Sequence, residues 1–434
     1  MSSQSALNID LRQMIIAIET SVSLVGMNDT DHGKRVGYIA SQLARQLGFS
    51  QQDIQFSFEL GLLHDCGVST EQMSSLANHF DWSGTHVHCD IGYRLLKDFE
   101  PLAKFATPIF YHHTPWDQLG TLDISAQDAG MANLISLSDR IDLLASSHYQ
   151  TDILLAKKEI VHSITNHAGG QFDPLLVNAF CEVEKSEAFW IALKDRHIVR
   201  YTWDMGQIKS NRPLSLPQLR QLSLIMSYIA DQKSPFTAQH SVRVADLAKY
   251  LAAAHGLSEE QCQKVEIAGL LHDLGKLHAP GNILEKPGPL DDTERFIMDQ
   301  RSYETYEILR HINGLGDVAL WAAYHYEGIN GAGYPFHPSE RDLSAEAGII
   351  AVADIFQALV QDRPYRKGMP LHKVLNILDE LADNGKLQKD IVKLAKKFGT
   401  KCFEISKGTD QDHSQNYSDL FSEVKLPQNA LTHP

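Results

Sequence analysis

The sequence lacks the features that mark membrane proteins and disulfide-rich secreted proteins. None of its 434 residues belongs to an apolar run of about 18 residues, the length that a transmembrane helix needs. The polar start, Met1 to Asp10, has no basic and then apolar segment typical of a signal peptide. The five cysteines are scattered, without a CxxC pair. We therefore expect a cytoplasmic protein with reduced thiols and no membrane segment.

The sequence also has fewer basic than acidic residues. Lysine and arginine number 39 against 54 aspartates and glutamates, which gives a formal net charge of −15. A polymeric nucleic acid is therefore not the expected partner, because such binding is dominated by basic side chains. A small anionic substrate is still compatible with this charge, since bound metal cations would dominate the field at a site.

Strand-like alternation is nearly absent, and most of the chain shows the three-to-four spacing of amphipathic helices. The clearest helical segments are Leu11 to Val25, Val36 to Leu47, Leu216 to Ala230 and Val244 to Ala254. One exception is Trp190 to Trp203, which is predicted as a short strand or an extended connector. The composition and periodicity together predict an all-α protein.

A long repeat divides the chain into two related halves. The pair His64-Asp65 recurs as His272-Asp273, 208 residues later, and His32 recurs as His240 at the same offset. Self-similarity of this kind marks tandem domains. Because Pro213 interrupts helix near the middle, we expect one domain at residues 1–205, a second at 206–404 and a polar tail at 405–434.

Metal-ligand side chains are distributed unequally between the halves. The first half offers the seven residues His32, His64, Asp65, His88, His112, His113 and Asp139. The second offers His240, His272, Asp273, His325 and Asp354, with Arg301 at the place of His88 and Tyr326 at the place of His113. A single buried histidine is more often a core residue than a ligand. The ordered repetition of the whole set favours metal binding in both halves.

Imidazole and carboxylate ligands suit divalent metals of intermediate softness, such as iron, manganese, nickel or zinc. Seven ligands can fill two neighbouring sites that share one aspartate. Two metals about 4 Å apart can hold a hydroxide and clamp a phosphate oxygen for in-line displacement. We therefore expect a binuclear centre in the first half, with magnesium also compatible, and one metal at most in the second.

Two cysteines, Cys66 and Cys89, adjoin ligand positions. Ligation by a thiolate and packing as small apolar side chains are the two alternatives, and the second is favoured.

These motifs resemble the HD superfamily of metal-dependent phosphohydrolases, and the second half resembles its HD-GYP subfamily. The second half carries His272-Asp273-Leu274-Gly275-Lys276, then His325-Tyr326-Glu327-Gly328, and then Gly331-Ala332-Gly333-Tyr334-Pro335. The resemblance covers roughly Ser234 to Phe398. The first half, roughly Asp29 to Phe180, resembles a general HD domain and lacks the GYP stretch.

The resemblance implies two tandem all-α HD domains and a phosphodiesterase of cyclic dinucleotides, chiefly cyclic di-GMP or cyclic GMP-AMP. It implies catalytic roles for Asp65, Asp273 and Lys276. The resemblance also favours iron or manganese as the metal. Substrate binding is implied for Gly331, Gly333, Tyr334, Pro335, Arg363 and Arg366. The glycines would let the backbone turn tightly beside the site.

Each half also departs from the family pattern. The family usually has histidines where the second half has Arg301 and Tyr326, so we expect this half to bind a cyclic dinucleotide better than it cleaves it. The guanidinium of Arg301 could hold a phosphate. The first half has the full ligand set, but Val68 replaces the lysine of the second half.

Three hypotheses follow. The protein is a cyclic-dinucleotide phosphodiesterase; or the first half is a phosphomonoesterase or nucleotidase while the GYP half binds the cyclic nucleotide; or the whole chain is a non-enzymatic receptor. The order of preference is the order given. A homodimer is compatible with the sequence.

Overall fold

The computed structural model of the chain describes residues 9–24, 31–68, 86–208, 212–231, 239–284, 286, 288–362 and 366–409. These residues form helices, and no β-sheet occurs in the described ranges, where isolated bridges such as Ala168–Phe172 are the only extended pairing. The all-α prediction is confirmed. No helix within these ranges is long and apolar enough to cross a membrane.

The chain forms two compact units. The first spans Leu11–Arg212, and the second begins at Pro213 and also contains Ile9 and Asp10. Leu214 donates its backbone N–H to the carbonyl of Ile9 at 3.0 Å. The predicted domain limits of 205 and 404 stay a prediction, and most of the predicted tail lies outside the described residues.

The first unit contains eleven α-helices within its described ranges. They are α1 Leu11–Ser23, α2 His32–Gln46, α3 Gln51–Leu63, α4 His86–Lys97, α5 Glu100–Tyr111, α6 Trp116–Leu119, α7 Ala126–Ala145, α8 Ile153–Thr165, α9 Pro174–Val183, α10 Glu187–Ile191 and α11 Asp195–Gln207. A short 3₁₀ turn, Ser146–His148, follows α7.

The second unit contains a further eleven in the part that is described. They are α12 Leu216–Asp231, α13 His240–His255, α14 Glu259–Leu271, α15 Gly281–Leu284, α16 Asp292–Asp299, α17 Arg301–Leu309, α18 Gly316–Ala323, α19 Ala345–Val360, α20 Leu371–Asp383, α21 Lys389–Lys397 and α22 Gly399–Lys407. Two 3₁₀ segments, Leu274–His278 and Tyr324–Tyr326, follow α14 and α18.

The same helix packing recurs in both units. Helix α2 packs on α3 and α7, as α13 packs on α14 and α19. The α2 side chains Val36, Ile39 and Leu43 are fully buried, and so are their counterparts on α13, Val244, Leu247 and Leu251. Truncating such a core side chain typically costs about 2–5 kcal/mol. The same stripe of apolar residues therefore produces the same helix packing in both units.

Local signals define where α3 and α14 begin. Gly48 and Gly256 adopt positive φ angles of 75° and 96°, the conformation that ends the preceding helix at glycine. Ser50 and Ser258 then accept hydrogen bonds from the backbone N–H groups of Asp53 and Gln261. Such caps satisfy N–H groups that the first helical turn leaves unpaired. The same glycine and serine pair therefore ends one helix and begins the next in both units.

The prediction of a strand or extended connector at Trp190 to Trp203 is wrong. Residues in this segment belong to α10 and α11. Ile198 and Thr202 are buried, whereas Val199 and Trp203 are 50% and 48% exposed. The run of β-branched residues looked like a strand, but its burial follows the four-residue period of a helix. Tertiary packing overrides the local propensity here.

Candidate metal centres

The ligand residues of the first unit converge from five helices. His32 begins α2, His64 and Asp65 follow α3, His88 lies in α4, and Asp139 lies in α7. His112 and His113 follow α5 directly. All of these side chains except His32 and Asp65 are buried, and those two are half-buried. These helices and the residues that follow them thus bring together side chains that are up to 107 residues apart in sequence.

Asp65 lies between two groups of ligands. Its Oδ2 is 3.5 Å from His64 Nε2 and 3.7 Å from His32 Nε2, whereas its Oδ1 is 3.5 Å from His88 Nε2. Asp139 Oδ1 lies 3.3 Å from His32 Nε2 and completes the first group. One carboxylate therefore offers a separate oxygen to each group.

The second group consists of imidazoles packed closely around His88. Its Nε2 lies 3.5 Å from the Nε2 of His112 and 3.1 Å from the Nε2 of His113. Two imidazole nitrogens at such distances either share a proton or face a common cation. Together with Asp65 Oδ1, the three nitrogens form a ligand set for one metal ion.

Backbone carbonyls fix the tautomers of two of these histidines. His64 Nδ1 lies 2.8 Å from the carbonyl of Gly61, and His112 Nδ1 lies 2.6 Å from that of Ile109. Since a carbonyl only accepts, each Nδ1 carries the proton and each Nε2 keeps its lone pair for the cluster. This is the usual support of a metal-binding imidazole. The residues present therefore fit a pair of divalent metals.

The electrostatics keep His112, His113 and Asp65 in the protonation states that bind a metal ion. Burial, and then the nearby His88 and His64, lower the pKa of His112 to about 3. Burial also lowers the pKa of His113 well below its usual value. Burial alone would raise the pKa of Asp65, but the facing histidines bring it below normal. At neutral pH the imidazoles of His112 and His113 are neutral, and Asp65 is ionised.

Asp142 is a residue that the sequence interpretation missed. His32 Nδ1 donates to its Oδ2 at 2.7 Å, and Arg35 Nε donates to its Oδ1 at 2.7 Å. Tyr149 also donates its hydroxyl to this fully buried carboxylate. Asp142 follows Asp139 by three residues, on the same face of α7. That spacing is the signal by which it could have been found.

Cys89 lies close to the second group. Its Sγ is 3.6 Å from His88 Nε2 and 3.7 Å from His112 Nδ1. Burial, and then the charge of Asp65, raise the pKa of this thiol well above its ordinary value. A buried, protonated thiol favours the packing interpretation over thiolate ligation.

The second unit brings together a smaller set. His240 Nε2 lies 3.1 Å from Asp354 Oδ1, and His272 Nε2 lies 3.6 Å from Asp273 Oδ2. His272 and His325 donate their Nδ1 protons to the carbonyls of Gly269 and Ala322, at 2.7 and 2.6 Å. Their Nε2 atoms are buried and have no hydrogen-bond partner within the described residues. The set fits one divalent metal.

Arg301 occupies the place that His88 has in the first unit. A Cβ on Gly67 would collide with the carbonyl of His88, and one on Gly275 would collide with that of Arg301. The guanidinium carbon of Arg301 lies 4.9 Å from the centre of the Tyr326 ring. Tyr326 in turn stacks on Tyr334, with ring centres 5.2 Å apart. Arg301 and the tyrosine ring beneath it thus replace the imidazoles of His88 and His113.

Comparison with known proteins identifies two HD domains in this chain and relatives that match most of its length. Residues 30–144 and 224–391 each match an HD domain family. A Vibrio cholerae protein described as 3′3′-cGAMP-specific phosphodiesterase 1 is 34% identical over 409 residues, which cover 92% of this chain and 94% of that protein. This chain belongs to the HD-GYP subfamily of the HD metal-dependent phosphohydrolases.

Two further comparisons agree with this assignment. A cyclic di-GMP phosphodiesterase of Thermotoga maritima is 35% identical over 165 residues, covering 38% of this chain and 44% of that protein. The crystal structure of a cyclic GMP-AMP-specific phosphodiesterase of V. cholerae aligns with a TM-score of 0.62 at 22% identity, over 93% of this chain and 99% of that chain. The structural likeness concerns the fold.

The GYP residues of this HD-GYP chain form a tight loop beside the candidate metal ligands of the second unit. Gly331 has a φ of 69°, and a Cβ on Gly333 would collide with the backbone of Glu327. Both glycines therefore serve the close turn that the sequence predicted. Pro335 follows a cis peptide bond.

Glu327 holds the loop from inside. Its buried carboxylate accepts the backbone N–H of Phe336 at 2.7 Å. A charged acceptor of this kind makes a strong hydrogen bond to the backbone. The loop is therefore anchored on the same segment that carries His325 and Tyr326.

The remaining HD-GYP cations differ in their surroundings. Lys276 Nζ lies 3.3 Å from Asp273 Oδ2. Arg366 donates to the carbonyls of Ala358 and Leu359, at 2.8 and 3.3 Å, and so caps the end of α19. Arg363 lies outside the described residues. Substrate contacts of Arg363 and Arg366 stay a prediction.

Proposed function

We propose that the protein is a metal-dependent phosphodiesterase that hydrolyses cyclic dinucleotides, with 3′3′-cGAMP as its preferred substrate. The observation that carries this proposal is Asp65, whose two oxygens face two separate groups of imidazoles. The relative that matches along 92% of the chain is described as specific for 3′3′-cGAMP. The Thermotoga cyclic di-GMP enzyme matches over 38% of the chain. The longer match favours cyclic GMP-AMP.

The first unit is the proposed site of hydrolysis. One divalent metal would be held by His32, His64, Asp65 and Asp139, and the other by Asp65, His88, His112 and His113. Ions bound there supply Lewis acid charge for a phosphodiester. Iron or manganese is favoured by this mixture of imidazole and carboxylate ligands, with nickel, zinc and magnesium as alternatives. The second unit would hold a single ion.

The protein's own groups prepare this site. Neutral His112 and His113 keep their lone pairs available at neutral pH, because burial disfavours their protonated forms. Asp142 holds the His32 ring by accepting its Nδ1 proton. The scissile phosphate would lie against the Asp65 side of the cluster, where the half-buried side chains of His32 and Asp65 are open to solvent.

Product analysis tests the proposal. Protein loaded with Mn²⁺ or Fe²⁺ is incubated with 3′3′-cGAMP and with cyclic di-GMP, beside Asp65→Ala, Asp273→Ala and the exposed control Asp98→Ala. We expect Asp65→Ala to lower the rate by about 1,000-fold or more, since each metal loses a ligand. Asp98→Ala should match the wild type.

Two results would contradict parts of this proposal. If neither nucleotide is cleaved by the loaded protein, the phosphodiesterase assignment is wrong, and nucleotide binding without turnover would indicate a receptor. If Asp65→Ala cleaves at the wild-type rate while Asp273→Ala does not, hydrolysis belongs to the second unit.

A second candidate is a division of labour between the units. The first unit would act as a phosphomonoesterase or nucleotidase on a linear product, while the GYP unit binds the cyclic dinucleotide. The complete ligand set of the first unit and the Arg301–Tyr326 stack of the second favour it. Loss of linear-dinucleotide dephosphorylation alone in Asp65→Ala would support this candidate. The cytoplasmic location and a homodimer stay predictions.

A further inference from the structure

We propose that the guanidinium of Arg301 takes, in the second unit, the place of the second metal ion of the first unit. The second unit then holds one metal ion and presents a permanent organic cation to a phosphate group of its ligand. The choice of a nucleotide phosphate rests on the proposed function, whereas the number of metal ions does not.

Ring geometry shows that the two sites correspond. His112 and His113 have ring centres 4.0 Å apart at 42°, and His325 and Tyr326 have ring centres 4.0 Å apart at 47°. The rings of the preceding ligands correspond as well. The ring planes of His64 and His112 make an angle of 87°, and those of His272 and His325 make an angle of 88°. The phenol of Tyr326 therefore lies where the first unit has an imidazole.

The second unit lacks the metal ligands His88 and His113 of the first unit but keeps the backbone contact at the first of these positions. The glycine contacts of Gly67 and Gly275 place the main chain of His88 and Arg301 equivalently. At the corresponding place in the second unit, the remaining metal donors would be Asp273 and the free Nε2 of His325. Two protein donors beside a fixed positive charge are a poor site for a divalent cation, because like charges repel in a buried environment.

Several contacts hold Arg301 in its charged form. Its Nε donates to the carbonyl of Met298 at 2.9 Å, and its guanidinium lies over Tyr326. Burial acts to lower its pKa, but Tyr326, Asp273 and a hydrogen bond to Tyr334 together raise it above the usual value. Cation–π contact is strongest when the cation is desolvated. An arginine side chain is charged throughout the physiological pH range whatever its neighbours, so the cation at this position is permanent.

The chemistry that this cation recognises is that of a phosphate. Asp273 faces Lys276 as well as Arg301, and the buried Asp231 also faces Lys276, so two cationic side chains lie at this edge of the site. A guanidinium forms paired hydrogen bonds to phosphate oxygens. With one metal ion and two cationic side chains, the site can neutralise a phosphodiester.

Metal counting on the full chain tests the first part. Metal-free protein reloaded with Mn²⁺ should hold three ions per chain in the wild type. Arg301→His with Tyr326→His, which copies His88 and His113, should hold four. The control Lys397→His with Phe398→His adds two histidines at another cation–π pair and should hold three.

The proposal is overturned if wild-type protein binds four ions, or if the folded Arg301→His/Tyr326→His protein gains none. Should that variant fail to fold, Asp273→Ala decides the question. This change should lower the wild-type count by one, and a loss of two would show that the second unit held two ions. None of these counts depends on hydrolysis, so an inactive protein still tests the proposal.

Nucleotide binding tests the second part. In the Asp65→Ala background, Arg301→Gln should weaken binding of a phosphorothioate analogue of 3′3′-cGAMP by about 10-fold or more, as the loss of a charge-assisted hydrogen bond predicts. Arg310→Gln, directly after the same helix and paired with Glu307 at the surface, should bind as tightly as its parent. Equal affinity of the Arg301→Gln and parent proteins would overturn phosphate recognition by Arg301.

Discussion

The two units carry the same helical framework and differ in the charge that they place on it. The first unit directs five imidazoles and two carboxylates into its cluster, while the second directs three imidazoles, two carboxylates, Lys276 and Arg301. The differences fall at three equivalent positions of the repeat. The first unit has Val68, His88 and His113 where the second unit has Lys276, Arg301 and Tyr326, respectively. Helix packing thus determines where ligands stand, and a few side chains determine whether a metal or a protein cation neutralises them.

The largest effect is expected from making the first unit resemble the second. His88→Arg with His113→Tyr should remove one Mn²⁺ ion per chain and lower the rate of cyclic-dinucleotide hydrolysis by about 1,000-fold or more, because the second metal loses two ligands. Metal content and initial rates measure this. His162→Arg with His197→Tyr makes the same exchanges outside the cluster and should change neither quantity. Hydrolysis within tenfold of the wild type would show that catalysis needs no complete first cluster.

A smaller effect is expected from the partner of the first histidine in each unit. His32 donates to the carboxylate of Asp142 at 2.7 Å, whereas His240 faces the amide oxygen of Gln361 at 3.1 Å. A carboxylate makes the ligand imidazole more basic than an amide does. Asp142→Asn should therefore weaken Mn²⁺ binding to the first unit by about 10- to 100-fold, measured by competition with a chelator.

Two controls accompany this measurement. Asp128→Asn changes a carboxylate at the exposed start of the same helix, where it accepts from Ser125, and should leave the affinity unchanged. Gln361→Glu should strengthen binding to the second unit. Unchanged affinity in both Asp142→Asn and Gln361→Glu would show that the partner does not set the difference between the units.

The smallest effect concerns helix caps that the units share. Ser50→Ala and Ser258→Ala should each destabilise the first turn of α3 or α14 by about 1 kcal/mol. The cost should be similar at the two sites, since each serine accepts the same backbone bond and the backbone N–H of residue 258 keeps its bond to Gln261 in the alanine variant. Hydrogen exchange of these turns measures it. Ser186→Ala, at a helix start where the serine side chain makes no capping bond, is the control, and equal exchange in all three would contradict the capping role.

The repeat made the framework and the ligand convergence predictable. A pattern that recurs at a constant spacing constrains two structures at once, and each histidine of the pattern could be checked against its counterpart. The helices α1, α2, α12 and α13 begin and end within a few residues of the predicted segments, apart from the first turn of α2 and of α13. Apolar periodicity is a strong signal for such long helices.

Other features depended on contacts that no local pattern encodes. Trp190 to Trp203 carries β-branched and aromatic residues, and only burial of Ile198 and Thr202 shows that it is helical. The contact of Arg301 with Tyr326 joins positions 25 residues apart. Arg366 resembles a phosphate ligand by motif, and the structure adds its bonds to the carbonyls at the end of α19. A motif specifies a residue type, whereas its use depends on the nearest acceptor.

The glycine after each His-Asp pair has a consequence for how duplicated domains diverge. Gly67 and Gly275 touch the main-chain carbonyl of the residue that contributes the next ligand, rather than its side chain. Exchanging histidine for arginine at that residue therefore leaves the contact intact. A copy freed from selection for catalysis can alter the charge at its centre one codon at a time, with no insertion and no shift of a helix. Neither copy can replace the glycine itself, because the side chain of any other residue would push the neighbouring helix away.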